Sequence, residues 1–184
     1  MPAMAGCNVQ DWYNKKGDVN LVLTPLADEN SLVDQFKSVK VALYGVTLRQ
    51  RGAINPANFG YDEPKIIDLV PMAREGEELT VTKFTTSLLP TVRVFLKLVV
   101  IEAIDAAGTS LMVCRPVDTP ERFPCFYQPA DDVFEPVDLS PFSPPRGGTV
   151  TVHIPIAVKY AQQGRVSEYF LFSDPALVEL ENKR

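Results

Sequence analysis

Apolar residues recur at every second position through most of this chain, and that period constrains the fold more than any other feature. The clearest case is the segment Thr149–Val158, in which every second residue is valine or isoleucine. A period of two places apolar side chains on one face of a β-strand. The chain also has sixteen prolines in 184 residues, and proline breaks helix interiors. The sequence therefore predicts an all-β fold.

Several other segments alternate in the same way and are separated by turn residues. The segment Pro90–Ile101 is apolar on most of both faces, so we expect a central strand there. The apolar phase changes at Gly45, which indicates a β-bulge. Strands at this spacing predict an antiparallel β-sandwich. The remaining predicted strands are Val19–Leu23, Val39–Leu48, Ile67–Leu69, Leu79–Val81, Thr109–Cys114, Val166–Phe172 and Ala176–Leu180.

Two segments depart from the alternating pattern. Asn30–Phe36 has the composition of one short helix, with Asn30 as its N-cap. Arg115–Gly148 contains eight prolines and no clear period, so we expect a long proline-rich loop. We expect residues 1–17 to form an N-terminal tether and residues 18–184 to form a single domain.

The charge of the chain argues against nucleic acid as a partner. The net charge is -5, and the densest basic stretch is Arg49-Gln50-Arg51, which we interpret as a solvated strand end. Binding to a phosphate backbone needs clustered lysines and arginines.

No apolar run reaches the roughly 18 residues of a membrane-spanning helix.

The N-terminus carries a motif that predicts the location of the protein. Met4-Ala5-Gly6-Cys7 resembles a lipobox, the site at which a prokaryotic lipoprotein is cleaved and lipidated on its cysteine. On this interpretation Cys7 is a lipid anchor, and the protein is extracytoplasmic, at the cell surface or anchored to the membrane. Residues 1–6 contain neither the basic nor the apolar region of a signal peptide. The alternative is an ordinary cysteine in an N-terminal tail.

The other two cysteines support an oxidising compartment. Cys114 and Cys125 bracket ten residues that include three prolines. A disulfide across so short a loop would stabilise the fold by roughly 3 kcal/mol on the chain-entropy model. Disulfides persist outside the cytoplasm, and this pairing leaves Cys7 unpaired for a lipid. The alternative is that all three cysteines are reduced, with two of them packed in the core.

Catalytic motifs are scarce in this sequence. The single histidine, His153, is out of phase with the apolar residues around it, so we expect it to face outward. The chain has no Gly-x-Ser-x-Gly element, no phosphate-binding loop and no dinucleotide fingerprint. Asp131 and Asp132 are the candidates for calcium ligands, since calcium prefers clustered oxygens. We predict no catalytic residue, no cofactor beyond that calcium and no enzymatic activity.

From Asp18 to about Pro116 the chain resembles the DUF4382 family of archaeal and bacterial secreted proteins. The resemblance is carried by the segments Val19–Thr24, Phe36–Val46, Ile66–Val70, Leu89–Val94 and Gly108–Leu111. It implies a transthyretin-like or immunoglobulin-like β-sandwich at the cell surface, and it implies no catalytic residue. The cysteine-bracketed proline loop departs from the family pattern.

Three functions are compatible with these features. The first is a non-enzymatic surface protein with an envelope-structural or binding role, whose partners are other protein subunits or surface components. The second is a filament subunit, and hence a homo-oligomer, assembled by strand exchange. Its donor segment would be Tyr169-Phe170-Leu171-Phe172, and the alternative for that segment is an edge strand within its own chain. The third is a carbohydrate-active or other hydrolase on a sandwich scaffold.

Overall fold

The protein is described by a computed structural model, which covers residues 15–117, 124–130 and 137–183. In this part of the chain two β-sheets and one short helix form a sandwich, so the all-β prediction is confirmed. Two 3-10 turns, Val33–Gln35 and Pro175–Leu177, lie between strands. The helix α1 is Leu69–Glu75. The strands are β1 (Lys16–Pro25), β2 (Phe36–Gln50), β3 (Ala57–Asp68), β4 (Leu79–Ser87), β5 (Thr91–Asp105), β6 (Ser110–Leu111), β7 (Val113–Cys114), β8 (Cys125–Tyr127), β9 (Val137–Phe142), β10 (Thr149–Gln163), β11 (Val166–Phe172) and β12 (Glu179–Lys183).

The first sheet has the strand order β4-β1-β10-β11-β8-β7, and β12 pairs with the start of β10. The pairs β1–β10, β11–β8 and β7–β8 are parallel, whereas the other pairs are antiparallel. The expectation of a wholly antiparallel sandwich therefore misses three pairings. Strand β10 spans most of this sheet, since its first half lies beside β1 and β12 and its second half beside β11.

The second sheet has the strand order β3-β2-β5-β6, and β9 pairs with the start of β5. The predicted central strand is confirmed, because β5 lies between β2 on one side and β6 and β9 on the other. The predicted bulge is confirmed as well. Between Leu43 and Gly45 the register shifts against both β3 and β5. A Cβ atom at Gly45 would collide with the carbonyl oxygen of Phe59, so glycine is required at this close approach of two strands.

The apolar faces of the two sheets meet in one core. The alternating face predicted for Thr149–Val158 is buried as expected. Leu21 and Ile154 contribute from the first sheet, and Leu43 and Leu96 from the second. One side of the sandwich is closed by contacts between β3 and β4. There the rings of Phe59 and Phe84 stack with centroids 3.9 Å apart, and the hydroxyl of Tyr61 donates to the carbonyl of Val81.

The predicted helix over Asn30–Phe36 is wrong, since only the 3-10 turn Val33–Gln35 forms there. Strand β10 explains the difference, because Val158 uses the same segment to satisfy its backbone. The Val158 amide donates to Ser31 Oγ (3.1 Å), and the Leu32 amide donates to the Val158 carbonyl (2.8 Å). Asn30 caps no helix.

The actual helix begins where a strand was expected. Ile67 lies at the end of β3, whereas Leu69 opens α1. The Asp68 carboxylate accepts a hydrogen bond from the Val70 amide at 3.2 Å and so caps the helix. Gly76, with φ 66°, ends the helix in the left-handed conformation that favours glycine.

Other segments differ from the sequence expectations in detail. The strand expected over Thr109–Cys114 is split into β6 and β7. The expected loop Arg115–Gly148 contains β8 and β9, because short strands there find partners in both sheets. The expected strand Ala176–Leu180 begins as a 3-10 turn and becomes β12 only at Glu179. The first strand begins at Lys16, two residues before the expected domain boundary.

Candidate functional site

A cavity of about 260 Å³ opens between the two sheets, where β5 faces β8 and β11. Its walls are mainly apolar, and they come from three separate parts of the chain. The cavity lies on the side of the sandwich opposite the β3–β4 contacts, because β3 is at the other edge of its sheet. The lining residues are Leu98, Val100, Tyr127, Gln128, Pro129, Phe170, Leu171, Phe172, Ser173 and Pro175.

Gln128 joins the two sheets at this cavity. Its side chain is 2% exposed. Oε1 accepts a hydrogen bond from the Val100 amide at 2.8 Å, and Nε2 donates to the Leu98 carbonyl at 3.3 Å. The Gln128 backbone amide donates to the carbonyl of Cys114 at 2.7 Å. One side chain therefore satisfies two backbone groups of β5 that a neighbouring strand would otherwise engage, and it fixes one wall of the cavity.

Ser173 gives the cavity a polar group with no partner in the described residues. The residue is 9% exposed, and its hydroxyl oxygen is buried without a hydrogen bond there. A buried hydroxyl without a partner costs about 1–3 kcal/mol, so such groups are rare unless a ligand or a partner satisfies them. The Ser173 hydroxyl is therefore the polar feature of the cavity most suited to contact a bound group.

The two predicted disulfide cysteines lie side by side at the ends of β7 and β8. Cys114 and Cys125 are both buried, and the structure describes both as free thiols. Burial raises the pKa of Cys125 to about 12, and a hydrogen bond with Cys114 and the charge of that neighbour act in the same direction. The thiol is therefore protonated at neutral pH and a poor nucleophile. The structure brings the pair together, and the disulfide itself stays a prediction.

His153 faces a second cavity, of about 330 Å³, at the opposite face of the first sheet. Its Nδ1 lies 3.0 Å from Glu78 Oε1, and the Thr24 hydroxyl donates to the same oxygen at 3.0 Å. A carboxylate that orients an imidazole is one half of a catalytic arrangement. Among the described residues no nucleophile is hydrogen-bonded to His153.

The segment Tyr169–Phe172 lies inside its own molecule as part of β11. That strand pairs with β10 over seven residue pairs and with β8 on its other side. The ring of Tyr169 packs edge-on against Phe36, with centroids 4.9 Å apart. Burial, followed by the charges of Tyr160 and Asp105, raises the pKa of the Tyr169 hydroxyl. A donor role for this segment would require all of these contacts to break.

The remaining predicted site residues lie outside the described part of the chain. These are the lipid-anchor candidate Cys7 and the calcium candidates Asp131 and Asp132. Within residues 15–117, 124–130 and 137–183 no group of three or more histidine, cysteine, aspartate or glutamate side chains is arranged to hold a metal ion. In the same residues, no helix has the length and apolar character needed to cross a membrane.

Comparison with known proteins identifies no relative. No family model matches the chain, and no curated protein or solved structure matches it either. The resemblance to DUF4382 therefore stays a prediction.

Sequence reasoning did not find the cavity residues Gln128 and Ser173. Neither residue type is characteristic of a site, and each lies among apolar neighbours that indicate a strand or a loop. Their roles depend on β8 and β11 meeting β5, which are contacts between residues far apart in the sequence.

Proposed function

We propose that this chain is a non-enzymatic β-sandwich held at the cell surface, which acts by binding a protein partner at the cavity between β5 and β11. The observation that supports this most is the mainly apolar cavity of about 260 Å³ that contains a buried hydroxyl, on Ser173, without a partner in the described residues. An apolar cavity with a few fixed polar groups is the usual form of a binding site.

The volume favours one side chain of a partner over a larger ligand. Small-molecule pockets usually measure about 300–1,000 Å³, so this cavity is below that range. Burying one leucine or phenylalanine side chain is worth about 1.5–3 kcal/mol. A dissociation constant of about 1 mM already requires about 4.1 kcal/mol of binding free energy. One buried side chain alone would therefore bind more weakly than that. The rest must come from the rim, as in interfaces where a central anchor is surrounded by weaker contacts.

The chemistry of the described side chains supports contact in preference to catalysis. The Cys125 thiol is protonated at neutral pH because burial raises its pKa to about 12. His153 has an orienting carboxylate on Glu78, but the hydroxyl of Thr24 donates to that carboxylate. These groups are held by hydrogen bonds within the fold.

Site-specific photo-crosslinking on intact cells tests the binding role. A photoreactive amino acid replaces Phe172, which lines the cavity and is 36% exposed. The matched control is the same replacement at Tyr44, which is 40% exposed on the other sheet. We expect a defined protein adduct from position 172 that is absent from position 44. No adduct at 172, or the same adducts at both positions, would contradict the proposal.

Metabolic labelling tests the surface anchor separately. Cells are given a clickable fatty-acid or isoprenoid analogue, and the protein is isolated as wild type and as Cys7→Ser. We expect label on the wild type and none on the variant. If the wild type carries no label that depends on Cys7, the lipid anchor is wrong, whereas the cavity could still bind its partner.

Assembly through the edge of β5 is the second candidate function. Among the described residues, Phe95–Glu102 pairs with β2 only, and the Gln128 side chain takes the place of a strand on the other side. An edge of this kind can accept a strand from another copy. Light scattering during size-exclusion chromatography tests this, since a monomer at every concentration would contradict it.

A further inference from the structure

The basal end of the sandwich is formed where β1 begins and where three turns meet. These turns are β2–β3 (51–56), β4–β5 (88–90) and β9–β10 (143–148). The Gly147 amide donates to the Lys16 carbonyl at 3.2 Å, and the Arg51 amide donates to the Pro90 carbonyl at 2.8 Å. Gln50 Nε2 donates to the carbonyl of Leu89 at 2.9 Å. The N-terminal segment that contains Cys7 therefore joins the described domain at this end.

Exposed basic side chains collect at the basal end. They are Lys16 at the start of β1, Arg49 and Arg51 at the end of β2, and Arg146 in the β9–β10 turn. None of these four forms an ion pair with a described residue.

Among the residues whose side chains the structure describes, the acidic ones near the basal end are fewer. The Asp18 carboxylate accepts a hydrogen bond from the Thr85 hydroxyl at 2.7 Å. Glu181 pairs with Lys183 in β12. The described side chains of the basal end are therefore net basic, in a chain whose total charge is -5.

The opposite end of the sandwich is acidic. It contains the turn after β1, the 3-10 turn before β2 and the segment from the end of α1 to the start of β4. Among its exposed bases, Arg74 is paired with Asp34 at 3.3 Å. Acidic side chains therefore outnumber basic ones among the exposed described residues of this end. The exposed acids at this end are Asp28, Glu29, Asp34, Glu75, Glu77 and Glu78.

The basal end also has one highly exposed apolar side chain, on Ile54, which lines the same surface pocket as Arg49. Ile54 is 93% exposed and lies in the β2–β3 turn, three residues after Arg51. Single exposed apolar residues are common. Next to arginines, however, an apolar side chain matches the membrane interface, where basic groups meet lipid headgroups and apolar groups enter the acyl boundary.

We propose that the basal end of this protein rests on an anionic lipid bilayer, with Lys16, Arg49, Arg51 and Arg146 at the headgroups and Ile54 at the acyl boundary. The proposal rests on the surface location proposed above. Lys15 lies eight positions after Cys7, so a lipid on Cys7 would keep the basal end within about 29 Å of the bilayer. The acidic end then points away from the anionic surface.

Vesicle binding tests the contact without the lipid. The full chain as Cys7→Ser, produced unlipidated, is mixed with vesicles that contain phosphatidylglycerol and with pure phosphatidylcholine vesicles, and the bound fraction is measured by flotation. We expect binding to the anionic vesicles only, weakening as salt shortens the Debye length. Each basic residue near such a surface contributes about fivefold in affinity. The double substitution of Arg49 and Arg51 with glutamine should therefore weaken binding about 25-fold.

The matched control changes the net charge equally at the opposite end of the protein. Lys37 and Arg165 are exposed, and both are replaced by glutamine in the control. We expect the control to bind like the parent, and Ile54→Ser to lose the binding that persists at high salt. Equal losses in both double variants would overturn the proposal. So would equal affinity for a soluble polyanion such as polyphosphate, which would indicate an anionic polymer as the partner.

These outcomes are independent of the anchor experiment. Failure to label Cys7 removes the lipid but not the vesicle binding of the unlipidated chain. Failure to bind anionic vesicles removes the contact proposed for the basal end, and the lipid would then act as a flexible tether alone.

Discussion

Replacing Gln128 with alanine removes the side chain that joins the two sheets beside the cavity. The substitution leaves the Val100 amide and the Leu98 carbonyl without the partners that lie at 2.8 Å and 3.3 Å in the native protein. Both groups are buried, and an unsatisfied buried group costs about 1–3 kcal/mol. The carbonyl keeps a second lone pair and its bond is the longer one, so we place the total at about 2–4 kcal/mol.

Thermal unfolding measured by circular dichroism provides the assay. For a domain of this size each kcal/mol shifts Tm by about 2–4 °C, so we expect Gln128→Ala to lower Tm by about 4–16 °C. The matched control is Gln162→Ala, since Gln162 is an exposed glutamine in β10. Exposed substitutions of this kind usually change stability by less than about 0.5 kcal/mol.

A second variant at the same position separates hydrogen bonding from packing. Gln128→Glu keeps the shape of the side chain, but it places a carboxylate oxygen against the Leu98 carbonyl. Burial and this repulsion raise the pKa of the new carboxyl in the folded state. The stability of the variant should therefore be greatest at low pH and fall as the pH rises through that raised pKa. Equal Tm values for Gln128→Ala and Gln162→Ala would refute the reasoning, as would a Gln128→Glu variant whose stability relative to wild type is independent of pH.

Four further predictions concern other parts of the protein. Gly45→Ala should lower the free energy of unfolding by about 1–3 kcal/mol, because the new Cβ atom would collide with backbone atoms. Gly60→Ala is the control and should change the free energy of unfolding little, since the nearest atom to its Cβ would be 4.0 Å away. Chemical denaturation measures both. If the disulfide forms, unfolded protein from source cells will show no free thiol at Cys114 or Cys125, and two reactive thiols would contradict it. If the pair is reduced, the raised pKa of Cys125 stabilises the folded state below about pH 9, and this contribution is lost as the pH rises towards about 12. A free energy of unfolding that does not change with pH in the alkaline range would contradict this prediction. The unlipidated chain should show no activity on an ester and glycan panel, whereas activity abolished by His153→Ala would support the hydrolase hypothesis.

Much of the fold was predictable because strand period is a local property. The alternation from Thr149 to Val158 predicted the buried face of β10, and the phase change at Gly45 predicted the bulge. Both signals depend only on neighbours in sequence. The apolar content of Pro90–Ile101 also predicted the central position of β5, since a strand covered on both faces needs apolar residues on both.

The errors arose where contacts between distant segments outweighed local preference. Asn30–Phe36 has helical composition, but the backbone of Val158 holds its first residues in a turn. Leu69 continued an apparent alternation, whereas the Asp68 side chain turned the backbone into α1. The intrinsic preferences of these segments for helix and for the alternative structure differ little in free energy, so hydrogen bonds from the rest of the fold decide which structure forms.

The cavity was not predictable for the same reason. Gln128 and Ser173 are far apart in sequence and become neighbours only because β8 joins β11 in a parallel pair. The basal end was predictable in part. The sequence shows Arg49-Gln50-Arg51 as the densest basic stretch, but only the folded turns bring Lys16 and Arg146 to the same end of the sandwich.

The location of the protein is the claim on which the account depends most, and intact mass spectrometry of the protein isolated from its source membranes tests it most directly. The account predicts a mature chain that begins at Cys7 and carries a lipid on that residue. It also predicts that Cys7→Ser abolishes this species. A chain that retains residues 1–6 with an unmodified cysteine would contradict the surface anchor, and with it the orientation proposed for the basal end.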